Sequence, residues 1–142
     1  MKLFIALLLL ASTQAFLLKD KLGAKTSVKP CTSKDGKFVK VNSLDITSEK
    51  NGMQYKYVMQ AKALKAFNMY SYVDKLTKNG KLIFDMDAEN KLNLKSGQEF
   101  KIEWENDVEK KEKGMGMIDE VFSFYATGND APVDCFKFKL KI

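Results

Sequence analysis

From Cys31 onward, short runs in which apolar and polar residues alternate one for one are separated by turn dipeptides, and this constrains the fold more than any other feature of the chain. Phe136, Phe138, Leu140 and Ile142 alternate with Lys137, Lys139 and Lys141, and Phe100, Ile102 and Trp104 alternate with Glu99, Lys101, Glu103 and Glu105. Leu82, Phe84 and Met86 alternate with Lys81, Asp85 and Asp87, and Met53, Tyr55, Tyr57 and Met59 repeat the pattern. A strand turns successive side chains to opposite faces, so each run has an apolar row and a polar row. Val121 to Tyr125 is apolar on both faces and reads as a central strand. Asp35-Gly36, Asn51-Gly52, Asn79-Gly80 and Ser96-Gly97 punctuate the runs, because Asn, Asp and Gly tolerate the positive φ of tight turns. About seven or eight half-apolar strands joined by short turns must bury their apolar rows against another sheet. The expectation is an all-β chain, an antiparallel β-sandwich of two sheets.

Two segments are less regular. In Ala61 to Leu76, Leu64, Phe67 and Val73 fit a helical stripe, and Ala63, Phe67 and Met69 fit a strand less well; the segment is read as a strand plus an irregular connection. Glu109 to Lys113 followed by Gly114-Met115-Gly116-Met117 reads as an exposed loop whose methionines form a rim over a pocket.

The N-terminus has the marks of a secretory signal peptide over residues 1–15. Lys2 is followed by the apolar run Leu3 to Ala11, and Ser12-Thr13-Gln14-Ala15 places small residues before a cleavage point. The run falls short of the roughly 20 residues that span a bilayer. Residues 16–30 form a Lys-rich lead-in without period, and residues 31–142 form the folded domain. In an oxidising compartment the two cysteines, Cys31 and Cys135, are most simply one disulfide, the alternative being two separate buried thiols. A loop of that length would be worth roughly 4 to 5 kcal/mol. There is no Asn-x-Ser/Thr sequon; Asn42-Ser43-Leu44 fails at the third position.

All 24 basic residues are Lys, and there is no His. The sequence therefore offers no Ser/His/Asp or Cys/His relay, no His-containing zinc site and no Arg fork for phosphate or guanine. Carboxylate, Lys or Tyr chemistry remains open. The candidate carboxylates, Glu103, Glu105 and Asp107, fall on the solvent side of their strand, where a raised pKa is not expected. Neither an enzyme nor a cofactor is expected. The aromatics lie on apolar rows and do not interleave with Lys on an exposed face, so nucleic-acid binding is not expected either. The net charge of +6, which loses only Lys2 with residues 1–15, is spread among charges of alternating sign. It fits a soluble surface, with transient contact to anionic membranes as the functional reading.

Cys31 before Ser33-Lys34-Asp35-Gly36, then Val41-Asn42, and the final Cys135-Phe136 leading to Lys141-Ile142 resemble the ML lipid-recognition domain family, which includes Niemann-Pick type C sterol carriers and group-two mite allergens. The resemblance spans Cys31 to Ile142. It implies an immunoglobulin-like β-sandwich whose sheets splay around an apolar cavity for a sterol, a phospholipid or acyl chains. It also implies a bond from the first cysteine to one in the last strand, matching Cys31 and Cys135. The further short-loop cysteine pairs of many members are absent. The segment Gly97-Gln98-Glu99-Phe100-Lys101-Ile102-Glu103-Trp104 resembles the family's ligand-facing strand, which implies that Phe100, Ile102 and Trp104 line the cavity. Alternation alone adds Tyr57, Met59, Phe84, Met86, Phe122 and Phe124.

The expected function is lipid binding and transfer, by a monomer, outside the cell or in the lumen of an endosome, lysosome or vacuole, with delivery to a membrane or a receptor. The other reading is a secreted β-sandwich recognition module with a solid core that binds protein or carbohydrate through its loops. Ten Phe, five Tyr and seven Met suit either an adaptable pocket or a packed core.

Overall fold

The computed structural model describes residues 24–142, and the signal-peptide segment and most of the lead-in lie outside them. Nine strands follow in order: β1 (Ala24–Lys25), β2 (Lys29–Pro30), β3 (Val39–Glu49), β4 (Gln54–Ala63), β5 (Phe67–Lys78), β6 (Lys81–Leu94), β7 (Glu99–Asp107), β8 (Met117–Ala126) and β9 (Asp134–Lys141). One sheet has the order β1-β3-β4-β7 and the other β2-β9-β8-β5-β6, with every pairing antiparallel. This is the expected immunoglobulin-like β-sandwich. The stretch before Cys31, without period in the sequence, supplies two short edge strands, one to each sheet.

Alternation sorts the faces. Tyr55, Tyr57, Met59, Ile102, Trp104, Ile118, Phe122, Phe124, Phe136, Phe138 and Leu140 point inward and form one buried cluster. Val121 to Tyr125 lies on β8, between β9 and β5, the central position expected of it. At the β5–β6 hairpin Lys78 pairs with Lys81 around Asn79 (φ 51°) and Gly80 (φ 77°), so both central residues occupy the left-handed region that a two-residue turn matching strand twist requires.

The ambiguous Ala61–Leu76 stretch is the end of β4, a three-residue connection and most of β5. It resists a period-two reading because the register of β5 shifts between Met69 and Ser71, on both its neighbours. Phe67 and Met69 are buried before the bulge and Tyr72, Asp74 and Leu76 after it, so the inward parity changes in mid-strand. A second shift, where Leu76 and Thr77 pair with Phe84 and Leu82, separates Leu82 from the inward row of β6. Leu82, expected to share a face with Phe84, is 51% exposed.

One corner ties the sheets together. Within one sheet, Cys31 at the end of β2 and Cys135 of β9 form a disulfide, with Cα atoms 5.4 Å apart across 104 positions of sequence. The neighbouring Asp134 is buried, and its carboxylate accepts the backbone N–H groups of Gly36 (2.7 Å), Lys37 (3.1 Å), Phe38 (2.7 Å) and Val39 (2.6 Å). The start of β3 in one sheet is thereby fastened to the start of β9 in the other. The Glu109–Lys113 segment is tied down as well: Glu112 is buried and accepts the N–H of Glu109, and Gly116 and Ile142 exchange two backbone hydrogen bonds.

Replacing Asp134 by Ala is expected to lower the unfolding free energy by about 3 to 5 kcal/mol, since each orphaned buried donor costs about 1 to 3 kcal/mol. Urea unfolding at neutral pH checks this, with Lys101→Ala as a surface control expected to lose less than about 1 kcal/mol. Cys31→Ser should lower stability by about 4 to 5 kcal/mol in the same assay, on the chain-entropy account of so long a loop.

Candidate ligand-binding core

Cross-sheet contacts establish which strands lie opposite one another. Val39 of β3 meets Asp134 of β9, Tyr57 of β4 meets Glu120 of β8, and Trp104 of β7 meets Asp74 of β5. Four strands thus face five, and β6 extends past β7 without an opposite strand among the described residues. The inner row of this overhang, Phe84, Met86, Ala88 and Leu92 with Asn90 between the last two, is half-buried, and its apolar members pack against the core.

The nine expected ligand residues divide along that line. Tyr57, Met59, Ile102, Trp104, Phe122 and Phe124 are buried between the sheets, and Phe100 is half-buried beside Phe124, ring centroids 6.2 Å apart. Tyr57 lies across from Trp104 and Met59 from Ile102 in the β4–β7 register. Phe84 and Met86 stand apart from these on the overhanging strand. At the centre the aromatics form a continuous stack: Tyr57 on Trp104 (4.7 Å, 5° between planes), Trp104 against Phe122 (4.6 Å), and Phe122 against Tyr72 (4.9 Å). Side chains therefore fill the middle of the sandwich.

Hollow space lies toward the edges. A cavity of about 320 Å³ opens between the sheets at the β2–β3 side, lined by Val28, Pro30, Val39, Val41, Leu64 and Phe136. A larger hollow of about 670 Å³ is bounded by Thr26, Ser27 and Lys29 and by Asp119, Val121, Lys137, Phe138 and Lys139 of β8 and β9. Cys31, Asp35 and Cys135 lie close together, but sulfurs joined in a disulfide are not available to a metal.

Sequence reading missed a polar group inside this apolar core. Asp74 and Glu120 are fully buried, with Asn106 beside them. Asp74 Oδ2 accepts from Trp104 Nε1 (2.9 Å) and from Asn106 Nδ2 (2.7 Å). Glu120 Oε2 accepts from the Tyr57 hydroxyl (3.2 Å), and Oε1 lies 3.4 Å from Asn106 Nδ2. Burial raises the pKa of Asp74, and burial together with the charge of Asp74 raises that of Glu120 well above the ordinary carboxylate range. Burial, then the two acids, push the Tyr57 phenol up, so it remains a neutral donor. The signal was present as polar residues at inward positions: Asn106 continues the row of Ile102 and Trp104, and Glu120 continues that of Phe122 and Phe124. The outward carboxylates behave differently. Glu103, Glu105 and Asp107 are exposed, and Lys56 bridges Glu49 (3.2 Å) and Glu105 (3.4 Å).

No family model matches the chain, and no curated protein matches it. Among solved structures it is similar to a Niemann-Pick type C2 protein from Japanese carpenter ant, with a TM-score of 0.59 and 15% identity, over 82% of this chain and 98% of that one. At that identity the likeness is one of fold: nearly the whole of that protein's β-sandwich has its counterpart here.

Proposed function

We propose that this protein binds lipid and carries it between membranes in a secreted or endolysosomal setting, without catalysis. The observation that carries this reading is the overhang of β6. Phe84, Met86, Ala88 and Leu92 continue the core's apolar row beyond the edge of the opposite sheet, where side chains meet partly wet surroundings. A sterol, phospholipid or acyl chain laid along that row and under β7 gains roughly 0.8 kcal/mol for each CH₂ taken from water. Phe100, Ile102 and Trp104 would then be its contacts on β7, and Phe122, Phe124, Tyr57 and Met59 those further in. The sheets give most readily at this edge, since Asp134 holds them together at the opposite one. The shared fold with the Niemann-Pick type C2 protein supports the same reading.

The β5–β6 turn at the end of the overhang suits contact with an anionic bilayer. Leu82 and Met117 are 51% and 52% exposed, Lys78 and Lys81 flank the turn, and Lys78 Nζ donates to the carbonyl of Met115 in the adjoining loop. Lysines near an anionic surface contribute on the order of 1 kcal/mol each. The central aromatic stack favours the second reading, a solid-core recognition module working as a monomer through its loops.

Native mass spectrometry of the purified protein is expected to reveal a co-purifying lipid near one equivalent, and a fluorescent fatty acid or sterol should bind. Met86→Glu should weaken that binding at least about tenfold, because the charge must leave water when the ligand covers it. An empty protein that takes up neither probe establishes the solid-core reading instead. Transfer to vesicles should rise with anionic lipid content and fall with salt, and Leu82→Glu should slow it while leaving binding intact. Equal rates to neutral and anionic vesicles would remove the membrane-docking role of the turn.

A further inference from the structure

We propose that Asp74 and Glu120 form a proton-sharing pair on one inner face which, through Trp104, Asn106 and Tyr57 of the facing sheet, latches the two sheets together, closed in acid and loosened as pH rises, and so sets how firmly the sandwich holds an apolar ligand. The ligand half of this inference rests on the lipid-binding reading; the latch itself does not.

Asp74 and Glu120 are diagonal neighbours on one inner face, since Asp74 pairs with Phe122 and Leu76 with Glu120 in the β5–β8 register. Asn106 Nδ2 lies 2.7 Å from Asp74 Oδ2 and 3.4 Å from Glu120 Oε1, so the two buried carboxyl groups share one donor and sit side by side. With Asp74 Oδ2 taken by Trp104 and Asn106, Oδ1 is buried without a hydrogen-bond partner among the described residues, and a proton carried by Glu120 would supply one. The opposite sheet contributes Trp104, Asn106 and Tyr57, all neutral. The titratable groups facing the pair are Tyr57 of β4 and Tyr72 of β5, and burial raises both, while the hydroxyl of Tyr55 on β4 is turned to the carbonyl of Lys141. Among the described residues β6, β7 and β9 present no cation to it. Their lysines take the outward parity, and the buried Asp134 of β9 is engaged with the backbone of Gly36 to Val39.

A second negative charge at this place would have neither water nor a cation to meet it. It would repel the first and push the two side chains apart. The Tyr57, Asn106 and Trp104 contacts that cross the core would then have to reorganise, and admitting water between the sheets is the available relief. The sign follows from the raised folded-state values. The stabilisation is complete below the carboxyls' unfolded pKa and is lost as pH rises through the folded value. With no His in the sequence, no other side-chain type ordinarily titrates between about pH 5 and pH 7.5.

Urea unfolding of the whole protein between about pH 5 and pH 7.5 tests the latch. The folding equilibrium constant should fall as pH rises, by up to about tenfold per pH unit where one proton is exchanged. Glu120→Gln keeps a donor toward Asp74 and an acceptor for Tyr57, and it should flatten that dependence. If it does not fold, Asp74→Asn provides the same test from the other carboxyl. A wild-type stability that is flat or rises over this range overturns the latch, as does an unchanged slope in the folded variants. The second readout is the release rate of a pyrene-labelled fatty acid, expected to be several-fold slower near pH 5 than near pH 7.5 in wild type and pH-independent in Glu120→Gln. A protein that has the stability slope but never binds the probe keeps the latch and overturns the lipid reading. A pH-independent release from a wild type with the slope overturns the coupling between the two.

Discussion

Moving Asp74 and Glu120 out of water costs several kcal/mol per charge unless the oxygens find donors, and Trp104, Asn106 and Tyr57 of the facing sheet supply them to three of the four. That requirement organises the centre of the sandwich. Trp104 must bring its indole N–H over Asp74, which lays its ring flat on Tyr57 and against Phe122. Tyr57 must direct its hydroxyl at Glu120, which fixes β4 opposite β8. The aromatic stack and the polar cluster are therefore one arrangement, with rings supplying area and their N–H and O–H groups supplying donors.

The two edges of the sandwich differ in kind. At one, the four N–H groups held by Asp134 join β3 to β9 across the sheets by charge-assisted hydrogen bonds, and Cys31–Cys135 fastens the end of β2 to β9 within one sheet. At the other, β6 carries Phe84, Met86, Ala88 and Leu92 past the end of the opposite sheet. A two-layer structure clamped along one side and uncovered along the other opens from the uncovered side first. A carrier needs such an asymmetry, because it must yield to a ligand without losing its fold.

Seven of the nine residues expected to meet a ligand lie on facing inner surfaces, and Phe84 and Met86 lie on the overhang. Their roles as core and as ligand contacts are compatible only if the sheets part. The latch formed by Asp74 and Glu120 is placed where parting would be controlled, between the clamped edge and the uncovered one.

What the sequence by itself determined was the class of fold and the facing of most side chains. Period-two alternation has one geometric meaning in a strand, and Asn-Gly at a two-residue turn leaves the chain one way to reverse. Cys31 and Cys135 were legible for a similar reason, being the two cysteines of the chain. Tertiary structure decided the rest. The parity change at the bulge between Met69 and Ser71 is set by pairing with β6 and β8, so no local pattern announces it. The partners of Asp74, Glu120 and Asp134 come from strands far along the chain, and a charged residue at an inward position tells nothing of its donors until the sheets are stacked. The overhang of β6 is a property of two strand orders compared with each other, four against five, and it exists only in the assembled sandwich.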